Sequence, residues 1–377
     1  MMTAAVESES QVVKRGRRNW GEPAMRIAAT GSAIVILLML AALVVVLFVA
    51  AVPSIKHFGP GFLMTSTWRP NPLPVLKLDA HGRSIRDRRT GMKVVDHNEP
   101  PRFGALASLC GTAQTSMIAL LLAVPLSLGA AFYLVRIAPH WLIMPVSFLI
   151  EFLAAIPSIA YGLWGMFVLG PWMGGPSRWE RIFGILPVPA GIESRFAWLF
   201  LQIPGLHWLA QQRIGTRVVP IPTTGRDVLV AGIILGIMII PIITAISRDV
   251  LRNVPRAQIE GTIALGATWW QSCRETLKYS RSALFGAIIL GMARAAGETM
   301  AVLMVMGSAA VVATSPFMAG TTMASQLAGE FPEASTNDLH RGALMELALI
   351  LLVMSLAFNV VARYLVVGKS ARTSAAH

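Results

Sequence analysis

Six separate apolar stretches, near residues 27–52, 106–135, 142–169, 228–247, 283–306 and 344–367, leave this chain few folds to choose from. A hydrocarbon core about 30 Å thick takes about 20 helical residues to cross, at about 1.5 Å per residue. Each stretch meets that length, so the expected fold is all-α, a polytopic bundle of six transmembrane helices. Composition agrees. Only 14% of the 377 residues are charged and 55% are hydrophobic, whereas about a quarter are charged in a soluble domain. The formal net charge of +13 raises nucleic acid as a ligand. The basic residues, however, sit between apolar runs and form no zinc-finger, RNP or helix-turn-helix pattern, so no nucleic-acid partner is expected.

The order of the charges orients the bundle. Lys14, Arg15, Arg17 and Arg18 precede the first stretch, which is too long for a cleaved signal peptide and reads as an anchor. Arg136 and His140 follow the second. Arg248, Arg252, Arg256, Arg274, Lys278 and Arg281 lie between the fourth and fifth, and Arg363, Lys369 and Arg372 close the chain. Six spans put all of these on one side, which the positive-inside rule makes the cytoplasm. The expected layout is a cytoplasmic tail 1–26, a first helix 27–52, an outer loop 53–105, a core 106–368 and a tail 369–377, in a multi-pass cell-membrane protein with both termini cytoplasmic. Arg83, Arg86, Arg88, Arg89 and Lys93 run against the rule, but the rule weakens in an outer loop this long. The insert 76–101 within that loop has no assigned role. A second outer segment, 171–225, mixes Pro, Gly, Trp and Arg. Its Trp172, Trp179, Trp198 and Trp208 suit a membrane–water boundary, and either short interfacial helices, for instance near 196–201, or plain loops fit it. Cys110 and Cys273 fall on opposite sides, lack metal-ligand spacing and read as packing residues.

The stretch 248–281 carries the mechanism. Its centre reads Arg256-Ala-Gln-Ile259-Glu260-Gly261-Thr262-Ile263-Ala264-Leu-Gly266, which predicts two short helices hinged at Gly266. Glycine ends helices because it takes the left-handed conformation without Cβ strain. Ile259 and Ile263 share one face of the first helix. This elbow is similar to the EAA loop of binding-protein-dependent ABC importer permeases, with Glu260 and Gly266 at that family's spacing. Gly261 and Thr262 stand where the family has two alanines, and Lys278-Tyr279 where it often has Leu-Pro. Three further runs resemble the PstC-type permeases of phosphate importers: 148–165 around Glu151, Pro157 and Tyr161; 239–250 around Pro241 and Arg248; and 290–302 around Arg294, Glu298 and Thr299. The likeness covers roughly 103–368, with 68–71 in the outer loop. It implies the type I ABC importer permease fold. It also implies that the elbow, through Ile259, Glu260, Ile263, Ala264 and Gly266, docks on an ATPase subunit dimer that uses ATP and Mg. The other implied partners are a PstA-type sister permease, an extracytoplasmic phosphate-binding protein and the surrounding membrane lipid. No cofactor and no metal is expected on this chain.

Charges inside the apolar stretches point to the pathway. Arg294 lies about 18 Å into the fifth stretch, near the midplane, where a charge costs about 2.5–3.5 kcal/mol. It must face the bundle interior and find a partner. Glu298 shares its face at i, i+4 spacing, and Glu151, about 13 Å into the third stretch, is a second candidate. Two readings stand. Arg294 is a transient contact for phosphate, whose oxygens a planar guanidinium binds in pairs, with Glu298 displaced in turn; or the residues form a buried ion pair that fixes helix register. The resemblance implies the first. Thr299 fits the pathway or an ordinary hydrogen bond. Pro125, Pro157 and Pro241 interrupt the hydrogen-bond ladder, giving hinges at Pro157 and Pro241 or simple kinks. Gly232 and Gly236 form a GxxxG face for close helix packing, and Asn359 reads as an interhelical hydrogen bond.

Catalytic signatures are missing. Gly368-Lys369-Ser370 ends like a phosphate-binding loop, but its leading glycine would fall at Arg363. There is no HExxH, no GxSxG and no Cys/His cluster, so the chain is not expected to be an enzyme. The alternatives are a permease for sulfate or molybdate, an integral membrane enzyme on lipid-linked substrates with Glu193 and Arg195 as its best cluster, and a channel or receptor scaffold.

Overall fold

Helices dominate, and glycine and proline decide where they stop. The computed structural model describes residues 21–71, 73–76, 95–174, 193, 211–214, 217–220 and 225–374. Two units are distinguished, Met1–Ala50 and Ala51–His377. The described part of the first is apolar helix with exposed side chains such as Leu37, Leu38 and Val46. That helix, α1 (Gly21–Phe58), ends in the second unit, which holds every other element.

The centre of the second unit is the crossing of α3 (Leu106–Arg136) and α7 (Val228–Arg252). Gly232 and Gly236 of α7 meet α3. A Cβ at Gly232 would sit 2.6 Å from Ile118 Cγ2, and one at Gly236 would sit 3.0 Å from Leu122 Cδ2. Between helices already in lipid the hydrophobic effect gives little, so small residues that allow close van der Waals contact hold such a seam. Ala119, Ala123, Leu235, Ile239 and Ile243 are buried along it. Asp227 caps α7, its Oδ1 accepting from Val230 N at 3.0 Å. Pro125 and Pro241 lie inside continuous helices, so neither marks a break.

Among the described residues four helices are long and apolar enough to cross a membrane: Met25–Phe58, Leu106–Arg136, Val228–Arg252 and Asp338–Val361. A bent pair has the same apolar length, as a broken span or a re-entrant loop: α4 (His140–Ala155) with α5 (Ser158–Trp164), which continues through a π turn, Gly165–Leu169, into α6 (Gly170–Gly174), the two parts bent by 89°. The bend falls at Pro157, as its missing N–H predicts. The carbonyl of Leu153 beside the break accepts from Ile156 N and from the Tyr161 hydroxyl at 2.9 Å.

The stretch 283–306 departs from expectation. It is not one helix but two: α9 (Trp269–Ala296) and α10 (Met300–Val305). Gly297 caps α9, Glu298 N folds back onto Ala295 O at 3.3 Å, and the helix restarts only when Leu303 N reaches Thr299 O. Beyond α10, Gly307 and Ser308 take φ of +80° and +53°, and an irregular stretch leads to α11 (Met323–Glu330). A 3-10 turn, Glu333–Thr336, then precedes α12 (Asp338–Ser374). The ladder of α9 thus ends ten residues before the sequence pattern does.

The all-α expectation needs a second amendment. After α2 (Gly61–Met64), β1 (Leu73–Leu76) pairs antiparallel with β2 (Val95–Glu99), closing the base of the insert 76–101. In the segment 171–225, β3 (Gln211–Ile214) pairs antiparallel with β4 (Arg217–Pro220). The helices expected near 196–201, and Trp179, Trp198 and Trp208, lie outside the described residues. An aromatic cluster of Phe58, Phe62, Trp68, Phe103 and His340 pins the segments that follow α1 and precede α3 to α12. Trp68 Nε1 donates to Glu330 Oε2 at 2.6 Å, and His340 Nε2 lies 3.0 Å from the same oxygen.

Candidate functional site

The break between α9 and α10 is where the chain departs furthest from a plain bundle, and it carries three of the four pathway candidates. Arg294 occupies the last turn of α9 and is exposed. The unpaired carbonyls at a helix C-terminus favour a cation there by about 0.3–1 kcal/mol. Glu298 and Thr299 lie in the unwound turn itself, both half-buried. The i, i+4 pairing expected of Arg294 and Glu298 needs an unbroken helix, and this one ends at Ala296. Among the described residues no ion pair joins them.

Glu151 is not brought to this break either. Its Oε1 lies 3.3 Å from Arg248 Nη2, and Arg248 also meets Asp249 Oδ1 at 3.2 Å. The bend at Pro157 explains the difference: α4 turns away from the line of α5, and Glu151 meets the far end of α7. The guanidinium of Arg294 is therefore presented beside half-exposed polar groups rather than paired. A guanidinium so placed has hydrogen-bond donors free to offer charge-assisted bonds to an oxyanion. Unwound backbone at membrane depth persists only where it is buried in protein or lines a cavity.

The elbow forms as two helices. α8 (Arg256–Ala264) runs to a glycine stop in which Gly266, at φ +80°, donates to Ile263 O and Ala267 N donates to Thr262 O. α9 then starts from Thr268, whose side chain accepts from Gln271 N while Gln271 Oε1 accepts from Thr268 N. Thr262 replaces a family alanine and ties the two arms. Its hydroxyl donates to Ile259 O at 2.7 Å and lies 3.1 Å from Ser272 Oγ. Glu260, Ile263, Ala264 and Gly266 are exposed and Ile259 is half-buried; Leu265 is 90% exposed. Among the described residues nothing covers this surface of apolar and acidic side chains.

Three acids are buried away from this break, and of these the sequence pointed only to Glu193. Glu346 sits inside α12 with Ser54 facing it, and neither the Ser54 hydroxyl nor Glu346 Oε2 completes a close hydrogen bond. A charge inside an apolar run was the signal, the same one that marked Arg294. Glu193 and Asp227 are both fully buried. Neither Glu193 oxygen completes a close hydrogen bond, although the backbone of Gly225 faces the carboxyl; against Asp227, two ionised carboxylates could only accept, and one shared proton turns that contact into a hydrogen bond. Burial, then the charge of Asp227, push the Glu193 carboxyl up to about 9. Arg195, its suggested companion, lies outside the described residues. Among the described residues no group of three or more His, Cys, Asp or Glu side chains is placed to hold a metal.

The sequence finds relatives along nearly its whole length. The family model of the binding-protein-dependent transport system inner membrane component matches residues 123–368. The phosphate transport system permease protein PstC of Mesorhizobium japonicum is 34% identical over 345 residues, 91% of this chain and 89% of that protein. PstC 2 of Mycobacterium tuberculosis is 35% identical over 368 residues, 97% of this chain and 96% of that one. PstC of Xylella fastidiosa is 40% identical over 266 residues, 70% and 73% of the two chains. Among solved structures, an inward-facing MetNI methionine ABC transporter aligns at a TM-score of 0.43 and 17% identity, over 70% of this chain and 94% of that one, too loosely to bear on mechanism. Long apolar helices, an exposed elbow and these alignments agree: the chain is a multi-pass membrane protein that belongs to the binding-protein-dependent transport system inner membrane components, in their PstC group.

Proposed function

We propose that this chain is the permease subunit of an ATP-driven phosphate importer and forms half of its translocation pathway. The relatives' names supply the substrate. One observation carries the mechanism: Arg294, at the end of a helix broken at membrane depth, has no carboxylate partner among the described residues. In transporters, substrates bind at discontinuous helices near the midplane. Phosphate, carrying more than one charge, takes the guanidinium in two hydrogen bonds; Glu298 and Thr299 beside it limit how long it stays. Counting the two broken stretches as one span each gives six spans, with the type I importer fold and both termini in the cytoplasm.

A PstA-type sister permease supplies the other half of the pathway, and an extracytoplasmic phosphate-binding protein delivers the anion. ATP and Mg act on an ATPase subunit dimer, whose closure moves the elbow through Ile259, Glu260, Ile263, Ala264 and Gly266. The bend at Pro157 is where α4 and α5 swing relative to each other. Phosphate uptake by the reconstituted complex tests the reading. Arg294→Lys is expected to assemble and to lose at least about tenfold in uptake, because a point charge replaces a planar fork. Normal uptake by Arg294→Ala in an intact complex sinks the proposal. Sulfate or molybdate uptake matching that of phosphate would reassign the substrate.

A further inference from the structure

A groove of about 330 Å³ opens between the end of α3 and the start of α9. Leu128, Gly129 and Phe132 form one wall, and Trp270, Cys273 and Leu277 the other. Gly129 and Phe132 lie toward the end of Leu106–Arg136, a helix long and apolar enough to cross a membrane, and such an end meets the boundary between hydrocarbon and headgroups. Trp270 is 71% exposed, and Trp269 packs against it with ring centroids 4.9 Å apart. Paired tryptophans suit that boundary.

The groove is apolar but not neutral. Arg274 stands on its rim, exposed. Arg136 lies behind it, with Nη2 donating to Thr276 Oγ1 at 2.8 Å and Nε buried without an acceptor. Its charge is felt at Cys273 in the groove wall. Among the described residues no carboxylate pairs with either arginine. Two uncompensated guanidiniums beside an apolar slot open to the bilayer call for a ligand with an anionic head and a hydrocarbon tail. Basic pockets between membrane helices hold anionic lipid headgroups in this way.

We infer that this groove is a binding site for an anionic phospholipid, one acyl chain lying along Leu128, Phe132 and Leu277 and the headgroup phosphate meeting Arg274 in the field of Arg136. The site adjoins the elbow. A lipid seated there packs against the first turns of α9, next to the Thr268 cap from which the elbow's second arm starts.

The test uses the full chain in phosphatidylcholine nanodiscs carrying a minor fraction of brominated phosphatidylglycerol or brominated phosphatidylcholine, with tryptophan fluorescence as readout. Bromine quenches only at short range. The anionic lipid is expected to quench severalfold more than the neutral one, and the excess should vanish in the double variant Trp269→Phe, Trp270→Phe. Gly129→Leu is the blocking variant. A Cβ at Gly129 meets nothing within 4 Å, so the substitution fills the groove without straining the fold and should abolish the excess. Arg274→Gln should reduce it severalfold. Equal quenching by the two lipids, or an excess that survives Gly129→Leu, overturns the site as mere annular lipid. Displacement of the excess by inorganic phosphate overturns it in favour of a free anion. Displacement by an added ATPase subunit overturns it in favour of a protein contact.

Discussion

Glu193 and Asp227 share an environment that leaves room for one negative charge between them. In the folded chain Glu193 keeps its proton up to about 9, against 4.5 for an ordinary glutamate. Across that window the folded state binds a proton that the unfolded state has released, so stability falls as pH rises and levels off above it. Asp227, also raised by burial, acts in the same direction. Glu193→Gln removes the Glu193 share, so the melting temperature between about pH 5 and about pH 9 should flatten. A wild-type chain that melts at one temperature throughout that range would show that no proton is shared. The Glu151–Arg248 pair is of another kind. Its carboxylate side chain is 62% exposed, and such pairs contribute about 0.2–1 kcal/mol. Glu151→Gln should cost less than about 1 kcal/mol in a thermal melt and leave phosphate uptake near wild type. Loss of uptake would return Glu151 to the pathway. The sequence showed that Arg294 is exceptional, because a charge in an apolar run is conspicuous whatever surrounds it. It could not show the partner: spacing in the chain measures distance only along an unbroken helix, and this one ends at Ala296. Glu346 carried the same signal inside the sixth stretch and was passed over.

Three glycines separate what an element needs from what it tolerates. Gly266 sits at φ +80°, a conformation that costs an L residue about 1–2 kcal/mol. Gly266→Ala should lower the melting temperature and, by tilting α8 against α9, uncouple ATP hydrolysis from transport. Gly261 lies within α8 with nothing within 4 Å of a Cβ placed there. Gly261→Ala should stabilise that helix by about 0.5–1 kcal/mol, restoring one of the two alanines usual in the family. Gly232 lies against Ile118, so Gly232→Val should overpack the seam between α3 and α7 at a cost of about 1–3 kcal/mol. Thermal melts of the three variants should therefore move down, up and down. If Gly261→Ala and Gly266→Ala shifted stability alike, the helix stop would not lie at Gly266. The elbow was legible because a glycine stop and a Thr268-to-Gln271 cap are written in adjacent residues. The break in the fifth stretch was not. Gly297 alone is tolerated in a helix, and hydropathy does not register an unwound turn of three residues. The two small sheets escaped for a related reason: Leu73–Leu76 and Val95–Glu99 pair across 18 intervening residues, and a four-residue strand has too little periodicity to announce itself.

At the scale of the molecule, the second unit is well packed around α7 and strikingly bare along α4. No residue of α4 is buried, and Trp141, Met144, Phe148 and Phe152 all point outward. Lipid alone could cover such a face. The geometry of α4 argues for protein: it follows an 89° bend and so does not run parallel to α5, and its Glu151, a charge that lipid covers poorly, lies on the same helix as those apolar side chains. In the proposed heterodimer α4 offers an uncovered apolar face to a sister permease. Phe148 decides between the two coverings. It is 71% exposed and within the chain stacks only on Phe152, centroids 6.4 Å apart, among the described residues. Phe148→Ala therefore removes little that holds this fold together, and the melting temperature of the isolated chain should stay within about 1 °C, as expected of a surface substitution. A buried aromatic anchor at an interface is worth about 2 kcal/mol or more. Co-purification of the sister permease should accordingly fall more than tenfold at limiting concentration. If recovery of the partner is unchanged while both chains fold normally, α4 faces lipid, and the pathway must be closed by another face of this chain.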